Sequence, residues 1–173
     1  MSSDHRSAMR IQFISVFSES DFDHALNIIK RAFATVATEY GLTRKNCPAN
    51  PAFMEMDKLR SLKTEKTELY LLLADSTPAG FVAIEQSAGD PWLFYIEKLA
   101  VLPEYRHHKL GEQLMVFAES EIVMRGGKQI SLGIIEENEP LKNWYKYLGY
   151  KENGTKVFEH LPFTVGFLLK ELG

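Results

Sequence analysis

Three apolar runs lie close together in the middle of the chain, and their spacing limits the fold more than any other feature of the sequence. They read ELYLLLA at 68–74, AGFVAIEQ at 79–86 and WLFYIEKLAV at 92–101. The segments between them, DSTP and SAGDP, are short and rich in residues that favour turns. Connections of this length join antiparallel neighbours, so the pattern predicts a meander within a larger sheet.

The segment before the meander predicts two helices. Its stretch SESD offers a capping box, either Ser20 with Asp23 or a start at Ser18 one turn earlier. Apolar residues then recur at the spacing of one helix face until about Gly41. A loop with two prolines follows, and after it a shorter helix is predicted at about 51–63.

The complete order of predicted elements is β-α-α-β-β-β-α-β-α-β-β. A long helix follows the meander, and another covers residues 139–149. The remaining strands are predicted at 10–17, 128–135, 150–158 and 163–172. This order, with one strand–helix–strand crossover, predicts a mixed α/β (α+β) fold. Since the 173 residues contain no repeat and no break in composition, we expect one domain at 10–173 behind a flexible tail at 1–9.

The charge balance and the cysteine count narrow the class of protein. Lys and Arg total 20 against 23 acidic residues, so the net charge is −3 and the basic field of nucleic-acid binders is missing. The opening MSSDHRSAMR has no apolar core of the signal-peptide type, and no later stretch is apolar over the length of a membrane span. Cys47 is the single cysteine, which favours a reducing cytoplasm and excludes a cysteine-based metal cluster. We therefore expect a cytoplasmic protein that binds neither nucleic acid nor membrane.

The stretch VLPEYRHHKLGEQL joins the last strand of the meander to the next helix. Arg106, His107, His108 and Lys109 stand where that helix begins. A helix N-terminus leaves backbone N–H groups unpaired and carries a partial positive charge, so it attracts phosphate. Gly111 would let a ligand or a neighbouring strand approach the backbone closely. The alternatives are a solvated basic turn and a metal site, and the metal site is disfavoured because adjacent histidines rarely face one centre.

Two further segments carry residues with a possible chemical role. ENEPLKNWYKYLGY predicts a helix that is capped by Asn138 and closed by Gly149, and Tyr145 lies on its apolar stripe. Tyr145 is therefore either a core aromatic residue or a functional one. Glu97 interrupts the otherwise apolar strand FYIEKLAV. A carboxylate there either faces solvent or, beside a phosphate site, serves as a general base.

These segments together resemble one family, the GCN5-related N-acetyltransferases (GNAT). The pyrophosphate-binding pattern of that family is Arg or Gln, two residues, Gly, one residue, then Gly or Ala. Arg106 and Gly111 match the two ends of the pattern, and Lys109 replaces its middle glycine. A lysine in helical geometry would still offer its backbone N–H and would add a cation. The resemblance therefore extends to the site that binds the coenzyme.

The second half of the family pattern is an Asn, a Tyr seven residues later, and a Gly followed by an aromatic residue. Asn138, Tyr145 and Gly149–Tyr150 reproduce it. The order of the elements also follows the family from end to end, so the resemblance covers essentially the whole chain. It implies a GNAT-like fold, with a central, mostly antiparallel twisted sheet of about seven strands flanked by about four helices.

The resemblance implies acetyl-coenzyme A as co-substrate and no metal. Strands 93–101 and 128–135 are expected to splay apart at their C-terminal ends and to admit the pantetheine arm. The residues expected to bind the coenzyme are Leu99, Ala100, Val101, Arg106, His107, His108, Lys109, Leu110, Gly111, Glu112, Asn138 and Tyr145.

By the same resemblance, an amine attacks the acetyl carbonyl directly in a ternary complex. Glu97 is the first candidate for the base that takes the amine proton, directly or through water, and Glu85 is the second. Tyr145 is expected to protonate the leaving thiolate. No acyl-enzyme is expected, because Cys47 is the only thiol and belongs to a loop.

The acceptor is expected to be the amine of a small molecule, because the chain has no obvious appendage for docking a protein. A protein N-terminus or lysine, a non-catalytic sensor of acetyl-coenzyme A and a nucleotide-phosphate binder are the alternatives. Acidic residues at Glu85, Asp90 and Glu97 favour a cationic acceptor. The loops at 41–65 and 154–164 are expected to set its specificity. Aromatic residues in the C-terminal strands could contribute to a homodimer contact; they are Phe158, Phe163 and Phe167.

Overall fold

The computed structural model describes residues 8–173. Residues 1–7 of the predicted tail lie outside the described residues. Met9, at the end of that predicted tail, packs against the core of the domain. The described residues form one sheet of seven strands, covered by four α-helices.

The strands of the sheet are mostly antiparallel. Strands β1 to β7 span Ile11–Ser15, Thr67–Ala74, Thr77–Gln86, Leu93–Val101, Gln129–Ile135, Lys151–Val157 and Thr164–Glu171. Their order across the sheet is β1-β2-β3-β4-β5-β7-β6, and β4 with β5 is the parallel pair among them. Strands β2, β3 and β4 form the predicted meander. The predicted fold class is therefore confirmed.

The helices begin and end close to the predicted positions. Helices α1 to α4 span Glu19–Glu39, Met56–Leu62, Leu110–Met124 and Glu139–Tyr147. The capping box of α1 uses Ser18, whose hydroxyl accepts from the Asp21 N–H at 3.1 Å while the Asp21 carboxylate accepts from the Ser18 N–H at 3.0 Å. The helix predicted at 51–63 is divided into a 3-10 turn at Pro51–Phe53 and α2. Within residues 8–173, no helix combines the length and the apolar character needed to cross a membrane.

Each face of the sheet carries a hydrophobic core. On one face, strand residues such as Phe81 pack with Ile28 of α1 and Leu59 of α2. On the other face, Ile84 of β3 packs with Leu114 of α3. Successive residues of a strand point to opposite faces, so central strands that are covered on both sides need nearly continuous apolar sequences. This explains the unbroken apolar runs of the meander.

The parallel strands β4 and β5 separate soon after they begin. They pair at Leu93 with Gln129, Phe94 with Ile130 and Tyr95 with Ser131. Beyond that point β4 runs on to Val101 and β5 to Ile135 without pairing with each other. The predicted splay is therefore present, and it leaves a gap near the middle of the sheet.

Candidate active site

The gap between β4 and β5 opens into a cavity of about 590 Å³, which we call the central cavity. Phe33 and Val36 of α1 line it from one face of the sheet, and Leu141 and Tyr145 of α4 line it from the other. The central cavity therefore passes through the sheet. Its volume is typical of a site for a small molecule.

The backbone of β4 turns toward this gap at two residues. The Leu102 N–H donates to the Ala79 carbonyl on the β3 side at 2.9 Å. Because bonding directions alternate along an antiparallel strand, the N–H and C=O groups of Leu99 and Val101 point away from β3 and toward the gap. The backbone of Ala100 faces β3 instead, and its side chain is buried. Leu99 and Val101 can thus pair with an extended ligand, whereas Ala100 only contributes to the wall of the cavity.

A β-bulge in β4 marks the place where the two strands part. Ala83 pairs with Glu97, but Phe81 pairs with Ala100, so β4 contains one extra residue over this interval. Lys98 lies inside the interval in the left-handed conformation, with φ of 53°. The bulge allows Glu97 to share the α1 face with Ala83, while Leu99 packs against the core of the opposite face.

The basic turn before α3 lines a second cavity of about 580 Å³, which we call the turn cavity. Its wall includes His107, Lys109, Gly111 and Glu112. His108 is exposed and does not line it. Residues Leu99 and Val101 line both cavities, so the two are continuous along β4.

Helix α3 presents its unpaired start to the turn cavity. The Gln113 N–H donates to the Lys109 carbonyl at 3.1 Å, which is the first bond of the helix. The backbone N–H groups of Leu110, Gly111 and Glu112 precede it and have no partner within the helix. The Leu110 side chain is buried in the core, so its part in this site is limited to its backbone. Such a helix start attracts an anion.

Lys109 takes a left-handed conformation, which favours glycine. It stands just before α3 with φ of 60° and ψ of 23°, and its side chain makes no capping hydrogen bond. The expectation of helical geometry at Lys109 is therefore wrong, because the chain needs a left-handed residue to enter the helix here. A residue other than glycine pays roughly 1–2 kcal/mol for this conformation. His107 is left-handed as well, with φ of 67°.

The Arg106 side chain points toward α1. One guanidinium nitrogen donates to the Ala32 carbonyl at 3.1 Å and to Thr35 Oγ1 at 2.9 Å. The guanidinium is thus engaged at the C-terminal half of α1, and the Arg106 N–H donates to the Pro103 carbonyl at 3.3 Å. Arg106 lines both cavities.

Gly111 faces an aromatic ring of α4. A Cβ at this position would lie 3.4 Å from Trp144 Cζ2 and 3.5 Å from Trp144 Cη2, which is ordinary van der Waals contact. The neighbour that approaches Gly111 closely is therefore the Trp144 indole, and both residues line the turn cavity. A single methyl group fits between them, whereas a larger side chain would displace the indole.

Tyr145 combines a packed ring with an uncommitted hydroxyl. Its ring lies edge-on to Trp144 and Tyr150, with centroid distances of 4.9 and 5.7 Å. No group of the described residues hydrogen-bonds its hydroxyl. Among the described residues, every fully buried side-chain N or O atom has a hydrogen-bond partner, so the unpartnered Tyr145 oxygen is in reach of solvent. Burial raises the pKa of Tyr145 above its ordinary value, so the hydroxyl keeps its proton at neutral pH.

Two polar residues fix the position of α4. The Asn138 side-chain oxygen accepts from the Leu141 N–H at 3.3 Å, so Asn138 caps the helix and also lines the central cavity. Lys142 is buried, and its ammonium contacts Glu136 and, at 3.2 Å, Glu152. The Glu136 carboxylate, foremost, raises the pKa of Lys142. The role of Lys142 was not predicted from the sequence, where the available signal was four glutamates within ten residues of it.

Glu97 and Glu85 form a carboxyl pair on the α1 face. Glu97 lines the central cavity, and its carboxylate lies 3.5 Å from the Lys98 ammonium. Glu85 lies on β3, two residues from Ala83, which is the partner of Glu97. Burial raises the pKa of Glu85, and the neighbouring Glu97 carboxylate raises it further. Asp90 lies apart in the β3–β4 turn, where its carboxylate accepts from the Trp92 N–H at 2.9 Å.

The α1 side of the central cavity is largely apolar. Both loops that were expected to set specificity contribute to it, Asn50 and Pro51 from one and Leu161 and Phe163 from the other. Helix α1 also contributes, which the sequence does not reveal. Phe33 belongs to the same apolar stripe as the buried residues of α1, and periodicity cannot separate a residue that faces the core from one that faces a cavity.

Cys47 lies behind this wall, outside the lining of the central cavity. It is buried in a small cluster against which Leu161 and Phe163 pack. Burial raises the pKa of its thiol, so the reactive thiolate is disfavoured. Among residues 8–173, no group of three or more His, Cys, Asp or Glu side chains is arranged to hold a metal ion.

Comparison with known proteins identifies the family. The model of the acetyltransferase (GNAT) family matches residues 33–150, which include the basic turn, strands β4 and β5, and Tyr145. The chain belongs to the GNAT family. It is also 30% identical, over 171 residues, to an uncharacterized N-acetyltransferase in the pepI 3′ region of Lactobacillus delbrueckii subsp. lactis, a match that covers 89% of this chain and 93% of that protein. The chain is accordingly an acetyl-coenzyme A-dependent acyltransferase.

Solved structures share its fold. The ribosomal-protein-S18-alanine N-acetyltransferase from Escherichia coli superposes with a TM-score of 0.73, at 17% identity and over 94% of either chain. The PaiA N-acetyltransferase from Thermoplasma acidophilum, solved in complex with coenzyme A, gives a TM-score of 0.67 at 19% identity, over 95% of this chain and 100% of that one. These likenesses concern the fold, and the acceptor must be argued from the site itself.

Proposed function

We propose that this GNAT acetyltransferase transfers the acetyl group of acetyl-coenzyme A to the primary amine of a small molecule, by direct attack in a ternary complex. The observation that carries the proposal is the central cavity, which has Tyr145 on the α4 side and Glu97 on the α1 side. Aminolysis of a thioester needs a group that accepts the ammonium proton and a group that protonates the thiolate. One cavity brings both to the gap in the sheet.

The coenzyme site that we propose follows the continuous wall of the two cavities. The pyrophosphate would lie at residues 106–112, on the unpaired backbone N–H groups that open α3, where exposed Lys109 adds positive charge. The pantetheine arm would pair with the free backbone groups of Leu99 and Val101, as a strand pairs with an edge. Its thioester would then lie beside Tyr145.

The proton transfers that we propose use groups with suitable acidity. Glu97 accepts a proton from the ammonium of the acceptor, directly or through water, and shares the resulting proton with Glu85. The raised pKa of Glu85 makes its carboxylate a stronger base than that of an ordinary glutamate. Tyr145, protonated at neutral pH, donates its proton to the sulfur as the bond between carbon and sulfur breaks.

Direct transfer is supported by the position of the only thiol. An acyl-enzyme would require a nucleophile that reaches the acetyl group, but Cys47 is buried outside the lining of the cavity. The absence of any other cysteine in the sequence leaves no thiol for this role. The amine of the acceptor therefore attacks the acetyl carbonyl itself.

The experiment that tests the proposal measures thiol release from acetyl-coenzyme A with a panel of primary amines, with each product confirmed by mass spectrometry. We expect acetylation of at least one small amine to depend on Tyr145. Binding of acetyl-coenzyme A, measured by calorimetry, provides the control. A protein that binds the coenzyme tightly but acetylates no amine would instead be a sensor.

A further inference from the structure

Large apolar side chains line the α1 side of the central cavity, where we place the acceptor. Phe33 and Val36 come from α1, and Leu161, Phe163 and Val165 come from the β6–β7 connection and the start of β7. They are only partly buried, although the small cluster around Cys47 supports several of them. Apolar surface that stays exposed inside a cavity is available to an apolar ligand group.

Few charged side chains line the central cavity. Among the described residues that line the central cavity, Glu97 is the acid, and Lys98 and Arg106 are the bases. The Lys98 ammonium already lies 3.5 Å from Glu97, and the Arg106 guanidinium is bonded to α1. The cavity thus offers one carboxyl position for an amine, with Glu85 behind it.

We infer that the acceptor is a primary amine with a single cationic group and an aryl or branched alkyl tail. This inference rests on the proposed function, because it assigns the central cavity to the acceptor. The ammonium group lies at Glu97, where it loses its proton, and the tail packs between Phe33 and Phe163. Polyamines and aminoglycosides carry further ammonium groups, which would lose their hydration against the apolar wall without gaining a partner.

The size of the cavity points to a small acceptor. Its volume of about 590 Å³ includes the gap beside Leu99 and Val101, which the thioester arm would occupy. The remaining space on the α1 side suits one ring or a short branched chain.

The test compares kcat/KM for five acceptors: phenylethylamine, ethylamine, spermidine, kanamycin and a short peptide with a free N-terminal alanine. We expect phenylethylamine to exceed each of the other four at least about tenfold, since apolar groups in a pocket discriminate by about that factor or more. Preference for spermidine, kanamycin or the peptide would overturn this inference and leave acetyl transfer to amines intact. If coenzyme binds and none of the five is acetylated, the proposed function fails together with the inference.

Variants test whether the apolar wall of the central cavity causes the preference for phenylethylamine. Phe163→Ala should lower the ratio of kcat/KM for phenylethylamine to that for ethylamine about tenfold. Val36→Thr, which keeps the volume and adds a hydroxyl, should lower the same ratio in the same direction. Phe17→Ala is the matched control, because Phe17 is 83% exposed and does not line the cavity. An unchanged ratio in both wall variants would contradict the inference, whatever their stability.

Discussion

The Glu85 and Glu97 carboxyl groups lie next to one another on neighbouring strands β3 and β4, and the Glu97 carboxylate holds the pKa of Glu85 up. Burial of Glu85 contributes more to the raised pKa than this repulsion does. A negative charge on Glu97 thus disfavours a second negative charge on Glu85. We therefore expect this repulsion to lower the stability of the fold, while the carboxylates support its activity.

The first prediction concerns stability. With its folded-state pKa raised above the ordinary 4.5, Glu85 stabilises the fold below pH 4.5 relative to higher pH, and this contribution is lost as pH rises through the folded-state pKa. Glu85→Gln cannot ionise, so the variant does not lose this stability as pH rises. We expect the difference in unfolding free energy between Glu85→Gln and the natural chain to grow in favour of the variant from pH 4 to pH 8, measured by urea denaturation. Glu159→Gln, on the exposed β6–β7 connection, supplies the baseline. A difference that does not change with pH would show that Glu85 is not perturbed.

The second prediction concerns the base. If Glu97 accepts the amine proton, Glu97→Gln should lower kcat by about 10²–10⁴ and remove or shift the acidic limb of the pH–rate profile. Removal of the carboxylate also removes the repulsion that helps to raise the pKa of Glu85. Affinity for acetyl-coenzyme A should remain, since Glu97 lies on the acceptor side. Full activity in this variant would assign the proton to Glu85 or to water.

The third prediction concerns Gly111. Gly111→Ala adds one methyl group at van der Waals distance from Trp144, so we expect coenzyme affinity within a few-fold of the natural chain and about 0.5–1 kcal/mol of added stability in the helix. Gly111→Leu would displace the Trp144 indole, so affinity should fall at least about tenfold, or 1.4 kcal/mol, and stability should fall too. Calorimetry and thermal denaturation measure both effects. Equal affinity for the leucine variant would place the pyrophosphate elsewhere.

The fourth prediction separates charge from conformation at Lys109. Lys109→Gly relieves the left-handed conformation and should stabilise the fold by about 1 kcal/mol, while Lys109→Ala should not. Both variants remove the cation, so coenzyme binding should become less sensitive to salt in both. Denaturation and calorimetry at several salt concentrations distinguish the two effects. Identical stability of the glycine and alanine variants would contradict the conformational argument.

The sequence predicted those parts of the fold and site that depend on local signals. Turn residues and apolar runs gave the meander, and the Asn138 cap and Tyr145 stripe gave α4. The direction of the Arg106 side chain could not be predicted in this way, because its partner Thr35 is 71 residues distant in sequence. The same holds for the cavity wall at Phe33, whose exposure depends on how α1 sits over the gap.

The bulge at Lys98 is a second feature that could not be predicted from the sequence. Nothing in EKLAV announces an extra residue, since a strand with a bulge and one without it have the same composition. Its effect is large, because the side chains after it return to the opposite face of the sheet. Simple alternation from Glu97 would place Leu99 on the same face, yet Leu99 packs against the other core. The family resemblance supplied the splay of β4 and β5, but not this change of face.

The last prediction concerns Tyr145, where a structural and a catalytic role differ most. Tyr145→Phe keeps the ring and its contacts with Trp144 and Tyr150, and removes a hydroxyl that has no partner among the described residues. Unfolding free energy should therefore change by less than about 1 kcal/mol. If the hydroxyl protonates the leaving thiolate, kcat should fall by about 10²–10⁴ while coenzyme affinity holds. Thermal denaturation, calorimetry and the thiol-release assay measure the three quantities.

Two other tyrosines make this prediction specific. Tyr147→Phe alters the same helix at a side chain that is 77% exposed and should leave stability and kcat unchanged. Tyr150→Phe removes a hydrogen bond to Glu119 of 3.0 Å, so it should lower stability and affect kcat much less than Tyr145→Phe does. The loss in Tyr145→Phe should also shrink with an acetyl thioester of a more acidic thiol, since a better leaving group needs less protonation. Normal turnover in Tyr145→Phe, or the same loss with both thioesters, would remove Tyr145 from the role of proton donor.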